Sequence, residues 1–167
     1  YTITEGAQPS SAGHSGFALT GIQCILASDP NNPVNGNIAN GEVSVNLTPG
    51  DSAVCTYTNQ QKPRLTIVKN VVNPVDPDDA TQFGFTASGL SPGSFSLADA
   101  DEQVFTDITA GGSLTVTETA QAGWALTTLA CAGQGSGSLT TDLSTGSVSG
   151  DLGYAADVVC TFVNVKQ

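Results

Sequence analysis

Apolar and polar residues alternate along several short segments of the chain, and clusters of Gly, Pro, Asn and Asp separate these segments. Successive side chains of a strand point to opposite sides of a sheet, so alternation of this kind predicts strands with one buried face. No apolar pattern with the 3.6-residue period of a helix extends over any length. The pattern therefore predicts an all-β fold of the sandwich type.

A single polar side chain interrupts the apolar face of each of three predicted strands. These faces are Leu65, Ile67, Lys69 and Val71; Leu114, Val116 and Glu118; and Val158, Cys160, Phe162 and Asn164. An unpaired charge in an apolar core is costly, so a buried lysine and a buried glutamate need partners. We therefore expect Lys69, Glu118 and Asn164 to meet inside the sandwich.

Two kinds of contact fit these three residues. A desolvated lysine loses its proton readily and becomes a nucleophile, and a buried carboxyl group stays protonated and can transfer protons. Attack of Lys69 on the Asn164 carboxamide would expel ammonia and form an isopeptide bond in a single turnover, with Glu118 as catalyst. The alternative is an ordinary ion pair between Lys69 and Glu118, with Asn164 capping the end of a strand.

The sequence contains an internal repeat. YTITEGAQ (1–8) matches LTVTETAQ (114–121), GFALTGIQC (16–24) matches GWALTTLAC (123–131), and GEVSVNLTPGDSAVCTYTN (41–59) matches GSVSGDLGYAADVVCTFVN (146–164). Glu5 and Asn59 thus correspond to Glu118 and Asn164, whereas residues 65–113 have no counterpart upstream. The repeat predicts the C-terminal half of one sandwich in residues 1–61, a linker at 62–64 and a complete sandwich in 65–167.

A half-sandwich leaves open sheet edges and an uncovered apolar face, so residues 1–61 need further strands. Either these residues are part of a longer array that supplies the strands, or a neighbouring chain supplies them. Without a donated lysine, we expect no isopeptide bond between Asn59 and a partner in this unit.

The four cysteines occupy equivalent places in the two repeats. Cys24 and Cys55 are separated by almost the same distance along the chain as Cys131 and Cys160. The repeat therefore predicts one disulfide in each unit and an oxidising compartment.

The charge of the chain limits its partners. Lys and Arg number 4 against 15 Asp and Glu, and the net charge is −11, so phosphates of nucleic acids and anionic membranes would repel the chain. No apolar run is long enough to span a membrane. Asp76, Asp78 and Asp79 form a weak candidate for calcium, without the spacing of a known loop motif, and we expect no cofactor.

The lysine in LTIVKNV, the glutamate in LTVTETAQAGWAL and the asparagine in VCTFVN resemble the Cna B-type, prealbumin-like domains of bacterial surface adhesins and pilins. The resemblance implies a small β-sandwich with a Lys69–Asn164 isopeptide bond catalysed by Glu118. It covers residues 65–167 fully and residues 1–61 as a second half. The cysteine pair departs from the commonest pilin versions.

Two functions follow from this resemblance. The first is a structural repeat of an extracellular surface fibre, pilus or adhesin stalk, not an enzyme, whose partners are neighbouring repeats or copies of the same protein. The second is an adhesin module that binds a host or surface ligand through loops, for which the insertions at 10–15 and 28–40 are the candidates. Further copies of the repeat in the full-length protein would favour the fibre.

Overall fold

A computed structural model describes residues 1–6, 16–73 and 80–167, which form two compact units. The N-terminal unit comprises the described residues up to Gln61, and the C-terminal unit begins at Lys62. Every regular element of the described residues is a β-strand. The all-β fold class is therefore confirmed, whereas the assignment of residues 1–61 to the second half of a sandwich stays a prediction.

The N-terminal unit contains five strands in two sheets. They are β1 (Thr2–Thr4), β2 (Phe17–Leu26), β3 (Asp29–Asn35), β4 (Glu42–Ser44) and β5 (Ala53–Gln61). One sheet pairs β1 with β4, and the other has the order β3-β2-β5. All of these pairs are antiparallel.

The described residues of the C-terminal unit form nine strands. They are β6 (Arg64–Val72), β7 (Phe83–Ser88), β8 (Ser94–Leu97), β9 (Glu102–Phe105), β10 (Leu114–Glu118), β11 (Trp124–Gln134), β12 (Gly137–Asp142), β13 (Ser147–Leu152) and β14 (Asp157–Lys166). One sheet has the order β12-β13-β10-β7-β8 and the other the order β11-β14-β6-β9. The first and last strands of the unit, β6 and β14, are parallel neighbours.

The core of the C-terminal unit lies between its two sheets. Its fully buried side chains include Leu65, Ile67, Phe83, Val116 and Phe162. All of these except Phe83, which lies on β7, belong to the apolar faces predicted from the alternation in β6, β10 and β14. Phe rings pack edge-to-face across the core, as between Phe85 and Phe162, an arrangement that aromatic pairs prefer.

The N-terminal unit has a much smaller core. Only four of its apolar residues are fully buried, namely Ile22, Cys24, Val43 and Val45. Inner-face residues of β5 such as Tyr57 are half-buried, whereas Phe162, the counterpart of Tyr57, is fully buried. The described residues of this unit thus leave part of their apolar face uncovered. Across the described part of the chain, no helix has the length and apolar character needed to cross a membrane.

Candidate functional site

Three strands bring Lys69, Glu118 and Asn164 together in the C-terminal unit. Lys69 lies on β6 and Asn164 on the neighbouring strand β14, whereas Glu118 ends β10 in the other sheet. Together with Thr66, these three are the buried polar or charged residues of the described chain. The sandwich therefore encloses an amine, a carboxyl group and a carboxamide.

The three side chains contact one another directly. Lys69 Nζ donates a hydrogen bond of 2.9 Å to Asn164 Oδ1, and Asn164 Nδ2 donates one of 2.6 Å to Glu118 Oε1. The second oxygen of the glutamate, Oε2, lies 3.7 Å from Lys69 Nζ. The carboxamide thus lies between the amine and the acid.

The remaining neighbours of Lys69 hold its amine in place. Nζ donates to the backbone carbonyls of Asn70 at 3.0 Å and Phe162 at 3.3 Å. It also lies 4.2 Å from the centre of the Phe83 ring, where the negative face of the ring attracts a cation. These contacts leave the amine no route to water, because Lys69 has no exposed surface.

Burial shifts both ionisable groups toward their neutral forms. Desolvation lowers the pKa of the Lys69 amine, although the charges of Glu118 and Asp99 oppose this shift. Desolvation also raises the pKa of Glu118, against the opposing effects of Lys69 and of the hydrogen bond from Asn164. Transfer of the ammonium proton to the carboxylate would relieve both desolvation penalties and leave a nucleophilic amine beside a carboxylic acid.

A cavity of about 300 Å³ adjoins the site. Glu118 and Asn164 line it together with Trp124, Leu126 and residues of the 143–146 turn. It offers space for a small molecule released from Asn164.

The N-terminal unit holds a similar pair without a lysine. Asn59 Nδ2 donates a hydrogen bond of 2.7 Å to Glu5 Oε1, as Asn164 does to Glu118. The other oxygens of this pair, Glu5 Oε2 and Asn59 Oδ1, are buried and have no hydrogen-bond partner. In the C-terminal unit, Asn164 Oδ1 accepts a hydrogen bond from Lys69 Nζ, and Glu118 Oε2 lies 3.7 Å from the same amine without a hydrogen bond.

Each unit contains one disulfide, with the pairing that the repeat predicts. Cys24 of β2 is bonded to Cys55 of β5, and Cys131 of β11 to Cys160 of β14. In both cases the two cysteines are directly opposite on neighbouring antiparallel strands. Each bond therefore ties together two strands of one sheet.

The calcium hypothesis falls outside the part of the chain that the structure describes. Asp76, Asp78 and Asp79, and the insertion at 10–15, all belong to residues that are not described. Within the described ranges, no group of three or more His, Cys, Asp or Glu side chains has the arrangement of a metal site.

Comparison with known families identifies the fold of the C-terminal unit. A family model for the prealbumin-like fold domain matches residues 65–166. The chain belongs to this family. The match includes β6 from Leu65 onward and all of β14, and with them Lys69 and Asn164. In this prealbumin-like domain the amine and the amide thus lie on the first and last strands.

Solved structures of bacterial surface proteins are similar to the chain at low identity. An adhesin from Mobiluncus mulieris, described as containing intramolecular disulfide, isopeptide and ester bond cross-links, is 20% identical with a TM-score of 0.49, over 72% of this chain and 46% of the adhesin. The major pilin T-13 of Streptococcus pyogenes is 17% identical with a TM-score of 0.47, over 97% of this chain and 65% of the pilin. The pilin T3.2 of the same species is 12% identical with a TM-score of 0.49, over 92% and 64%. This chain thus spans less than two thirds of each, and no curated protein sequence matches it.

Two features of the site have no signal in the sequence pattern. Phe83 is one apolar residue among many of β7, and only the fold brings its ring next to Lys69. The cavity beside Glu118 depends on the 143–146 turn, which the repeat marks only as a loop. A contact map of the sandwich would have been needed to find either.

Proposed function

We propose that the chain is a structural repeat of an extracellular bacterial fibre or adhesin stalk, and that a Lys69–Asn164 isopeptide bond fastens its prealbumin-like domain. The observation that carries the proposal is the buried contact in which Asn164 lies between the Lys69 amine and the Glu118 carboxyl group. An isolated lysine at this depth would be costly. Conversion of the amine to a neutral amide removes that cost permanently.

The positions of the two carboxyl oxygens support a proton path. Oε2 of Glu118 faces Lys69 Nζ and takes its proton, which frees the amine to attack Asn164 Cγ. Oε1 faces Asn164 Nδ2 and returns a proton to the leaving nitrogen. The Nζ–Cγ bond forms, the Cγ–Nδ2 bond breaks and ammonia leaves. Glu118 is regenerated when the ammonia carries away the second amine proton as ammonium.

The strand order supports a mechanical role for this bond. Because β6 and β14 are parallel neighbours, pulling on the two ends of the domain loads the ladder between them in shear. A covalent link from residue 69 to residue 164 would carry the force instead and would keep residues 70–163 out of the load path. The Cys131–Cys160 disulfide lies within that protected segment.

The disulfides support a location outside the cytoplasm, since such bonds persist in oxidising compartments. The acidic surface and the scarcity of basic residues favour protein partners over nucleic acids. We infer that these partners are neighbouring repeats or copies of the same protein at the cell surface. The bond forms once for each domain, so the chain has no multiple-turnover activity.

Intact mass spectrometry under reducing conditions tests the proposal. Loss of one ammonia lowers the mass by about 17 Da, and peptide mapping should then find Lys69 joined to Asn164. Glu118→Gln retains the shape of the acid but cannot accept the proton, so this variant should retain the full mass. Full mass in the unaltered, folded protein, with Lys69 free to react with amine reagents, would reject the bond and leave a buried ion pair.

A further inference from the structure

The turn that connects β8 to β9 is fastened to β6 around Lys69. Lys69 N donates a hydrogen bond of 3.0 Å to the carbonyl of Asp101, and Ala100 N donates one of 2.9 Å to the carbonyl of Lys69. Two residues further along β6, Val71 N donates a hydrogen bond of 2.6 Å to Asp99 Oδ1. The turn thus continues the pairing of β6 with β9, and the carboxylate of Asp99 takes the place of a backbone carbonyl.

A single peptide group joins Asp99 to the buried amine. The N–H of the peptide between Asn70 and Val71 donates to Asp99 Oδ1, and the C=O of the same peptide accepts a hydrogen bond of 3.0 Å from Lys69 Nζ. A peptide group carries a partial positive charge at its N–H and a partial negative charge at its C=O. The carboxylate therefore lies at the positive end and the amine at the negative end, so each hydrogen bond polarises the peptide in favour of the other.

Asp99 differs in position from Glu118, the other carboxyl group that acts on the amine. Desolvation lowers the pKa of Lys69, and the charges of Glu118 and Asp99 both act against this shift. Glu118 is buried and its Oε2 lies 3.7 Å from Lys69 Nζ, so it can receive the proton of the amine. Asp99 is exposed, so water solvates its negative charge. Asp99 therefore acts on the amine only from a distance, through the peptide group.

We propose that Asp99 is a positioning residue that acts on Lys69 through this peptide group and slows the proposed bond by favouring the ammonium form of the amine. This inference rests on the proposed function and adds a control of its rate. An ammonium group has no electron pair with which to attack Asn164, so only molecules in which the proton has passed to Glu118 react. The charge of Asp99 makes such molecules rarer, while its hydrogen bond holds the end of β6 in place.

The turn offers a matched pair of substitutions. Asp99→Asn keeps an oxygen that can accept the hydrogen bond from Val71 but removes the charge. Asp101→Asn is the control, because Asp101 Oδ2 also accepts a hydrogen bond from a backbone N–H, that of Ala98 at 2.9 Å. This N–H is not part of the peptide that holds the amine. The two variants therefore lose the same charge from the same turn, and only one of them alters the contact with the Asn70–Val71 peptide.

The rate of ammonia loss is the first measurement. Each chain is assembled by chemical synthesis, so that it begins without the bond, and is folded at pH 4, where Glu118 already holds a proton and cannot take one from Lys69. A jump to pH 7 starts the reaction, and mass spectrometry of quenched samples follows the loss of about 17 Da. We expect Asp99→Asn to react roughly 3- to 10-fold faster than the unaltered chain. Asp101→Asn should match the unaltered chain within about twofold.

Titration of the amine is the second measurement, and it does not depend on bond formation. Synthesis places a nitrogen label at Lys69 alone, in an Asn164→Ala background that cannot form the bond. Addition of Asp99→Asn should lower the pH at which the labelled amine titrates by about 0.5 to 1, whereas addition of Asp101→Asn should not. A purely structural role for Asp99 would leave this titration unmoved, because the asparagine retains the hydrogen bond to Val71.

Three results would overturn the proposal. They are an Asp99→Asn rate equal to or below that of the unaltered chain, an equal acceleration in Asp101→Asn, and a Lys69 titration that Asp99→Asn leaves unchanged. The second of these would show a general effect of surface charge.

The two measurements also separate this inference from the proposed function. If the chain loses ammonia but neither the rate nor the titration responds to Asp99→Asn, the role of Asp99 is wrong and the Lys69–Asn164 bond stands. If no variant loses ammonia, while Asp99→Asn still lowers the pH at which Lys69 titrates, the action of Asp99 on the amine stands and the bond is wrong.

Discussion

The two units carry the same hydrogen bond between an asparagine and a glutamate, in different surroundings. Asn164 and Glu118 are buried with Lys69, and of their oxygens only Glu118 Oε2 lacks a hydrogen bond, whereas Asn59 and Glu5 are half-buried and leave two oxygens without one. Side-chain identity is therefore insufficient for the chemistry. The amine, and the burial that lowers its pKa, come from β6 and the strands that cover the core. Substitutions at equivalent positions of the two units can separate these contributions.

The largest difference is expected at the two asparagines. Asn164→Ala removes the oxygen that accepts the hydrogen bond from Lys69 and leaves a buried amine without this partner, which costs about 3–5 kcal/mol. It also abolishes the proposed link between residues 69 and 164. By closing a long loop, this link would stabilise the folded unit by about 4–5 kcal/mol. We expect the thermal midpoint of the C-terminal unit to fall by roughly 15 °C or more, measured by the fluorescence of the only tryptophan, Trp124.

Asn59→Ala is the matched control, since Asn59 Oδ1 has no partner to lose. We expect it to weaken hydrogen-exchange protection of β5 slightly, by about 1 kcal/mol for its one hydrogen bond to Glu5. Equal losses from the two substitutions would contradict the view that the lysine makes the difference.

The disulfides offer the next comparison, in which equal chemistry should have unequal mechanical effects. Each closes a loop of similar length and stabilises its unit by about 3–4 kcal/mol in a chain-entropy account. In single-molecule stretching from the two termini, reduction should lengthen the unfolded N-terminal unit by roughly 110 Å, because 31 residues separate its cysteines and an extended residue spans ~3.5 Å. Reduction should add nothing in the C-terminal unit if the proposed isopeptide bond holds residues 70–163 out of the load path.

Asn164→Ala sharpens this measurement, because it opens the protected segment. In that variant, reduction should release a second length of roughly 100 Å, for the 29 residues between Cys131 and Cys160. If reduction of the unaltered chain already releases this second length, the C-terminal unit has no covalent link outside its disulfide.

A smaller difference is expected at the apolar positions of the equivalent strands β1 and β10. Val116→Ala removes two methyl groups from a fully buried site and should destabilise the C-terminal unit by about 2 kcal/mol. Ile3→Ala removes more carbon, but from a residue that is 38% exposed, and should cost less than about 1 kcal/mol. Urea unfolding monitored by hydrogen exchange in β1 and β10 provides both values.

The alternation and the repeat were enough to predict the inward faces of three strands of the C-terminal unit, β6, β10 and β14. Lys69 could be placed in the core because side chains alternate between the two faces of a strand. This alternation puts Lys69 on the same face as Leu65 and Ile67. Glu118 and Asn164 could be singled out because the repeat contains both at Glu5 and Asn59. These inferences depend only on local geometry and on comparison within the chain.

Pairing between distant strands could not be predicted in the same way. β3 pairs with β2 in the N-terminal unit, whereas β12, at the same place in the repeat, pairs with β13. The insertion within residues 28–40 changes this connection, and a local pattern does not show which edge a short strand will join. The distances in the Lys69 site depend on such non-local pairings, which is why the sequence predicted the partners but not the ring of Phe83.

The smallest expected effect is a dependence of stability on pH. It concerns a variant in which the C-terminal unit has the glutamate and the asparagine but no lysine, as in the N-terminal unit. Lys69→Met removes the amine and leaves Glu118 with Asn164 alone. Burial raises the pKa of Glu118 above its ordinary value of 4.5, and loss of the nearby cation removes an effect that lowered it. Between 4.5 and the raised pKa the folded state holds a proton that the unfolded state has released, so stability should fall as pH rises through this window. We expect stability to fall by on the order of 1 kcal/mol between pH 4 and 7, or the midpoint reported by Trp124 to fall by a few degrees.

Lys69→Met combined with Glu118→Gln should lack this component of the pH dependence. The difference between the two variants therefore isolates Glu118 from the other carboxyl groups. Stability that instead rises with pH in Lys69→Met relative to the double variant would mean that Glu118 is stabilised as a carboxylate, and the acid would then be unsuited to return a proton to the leaving nitrogen.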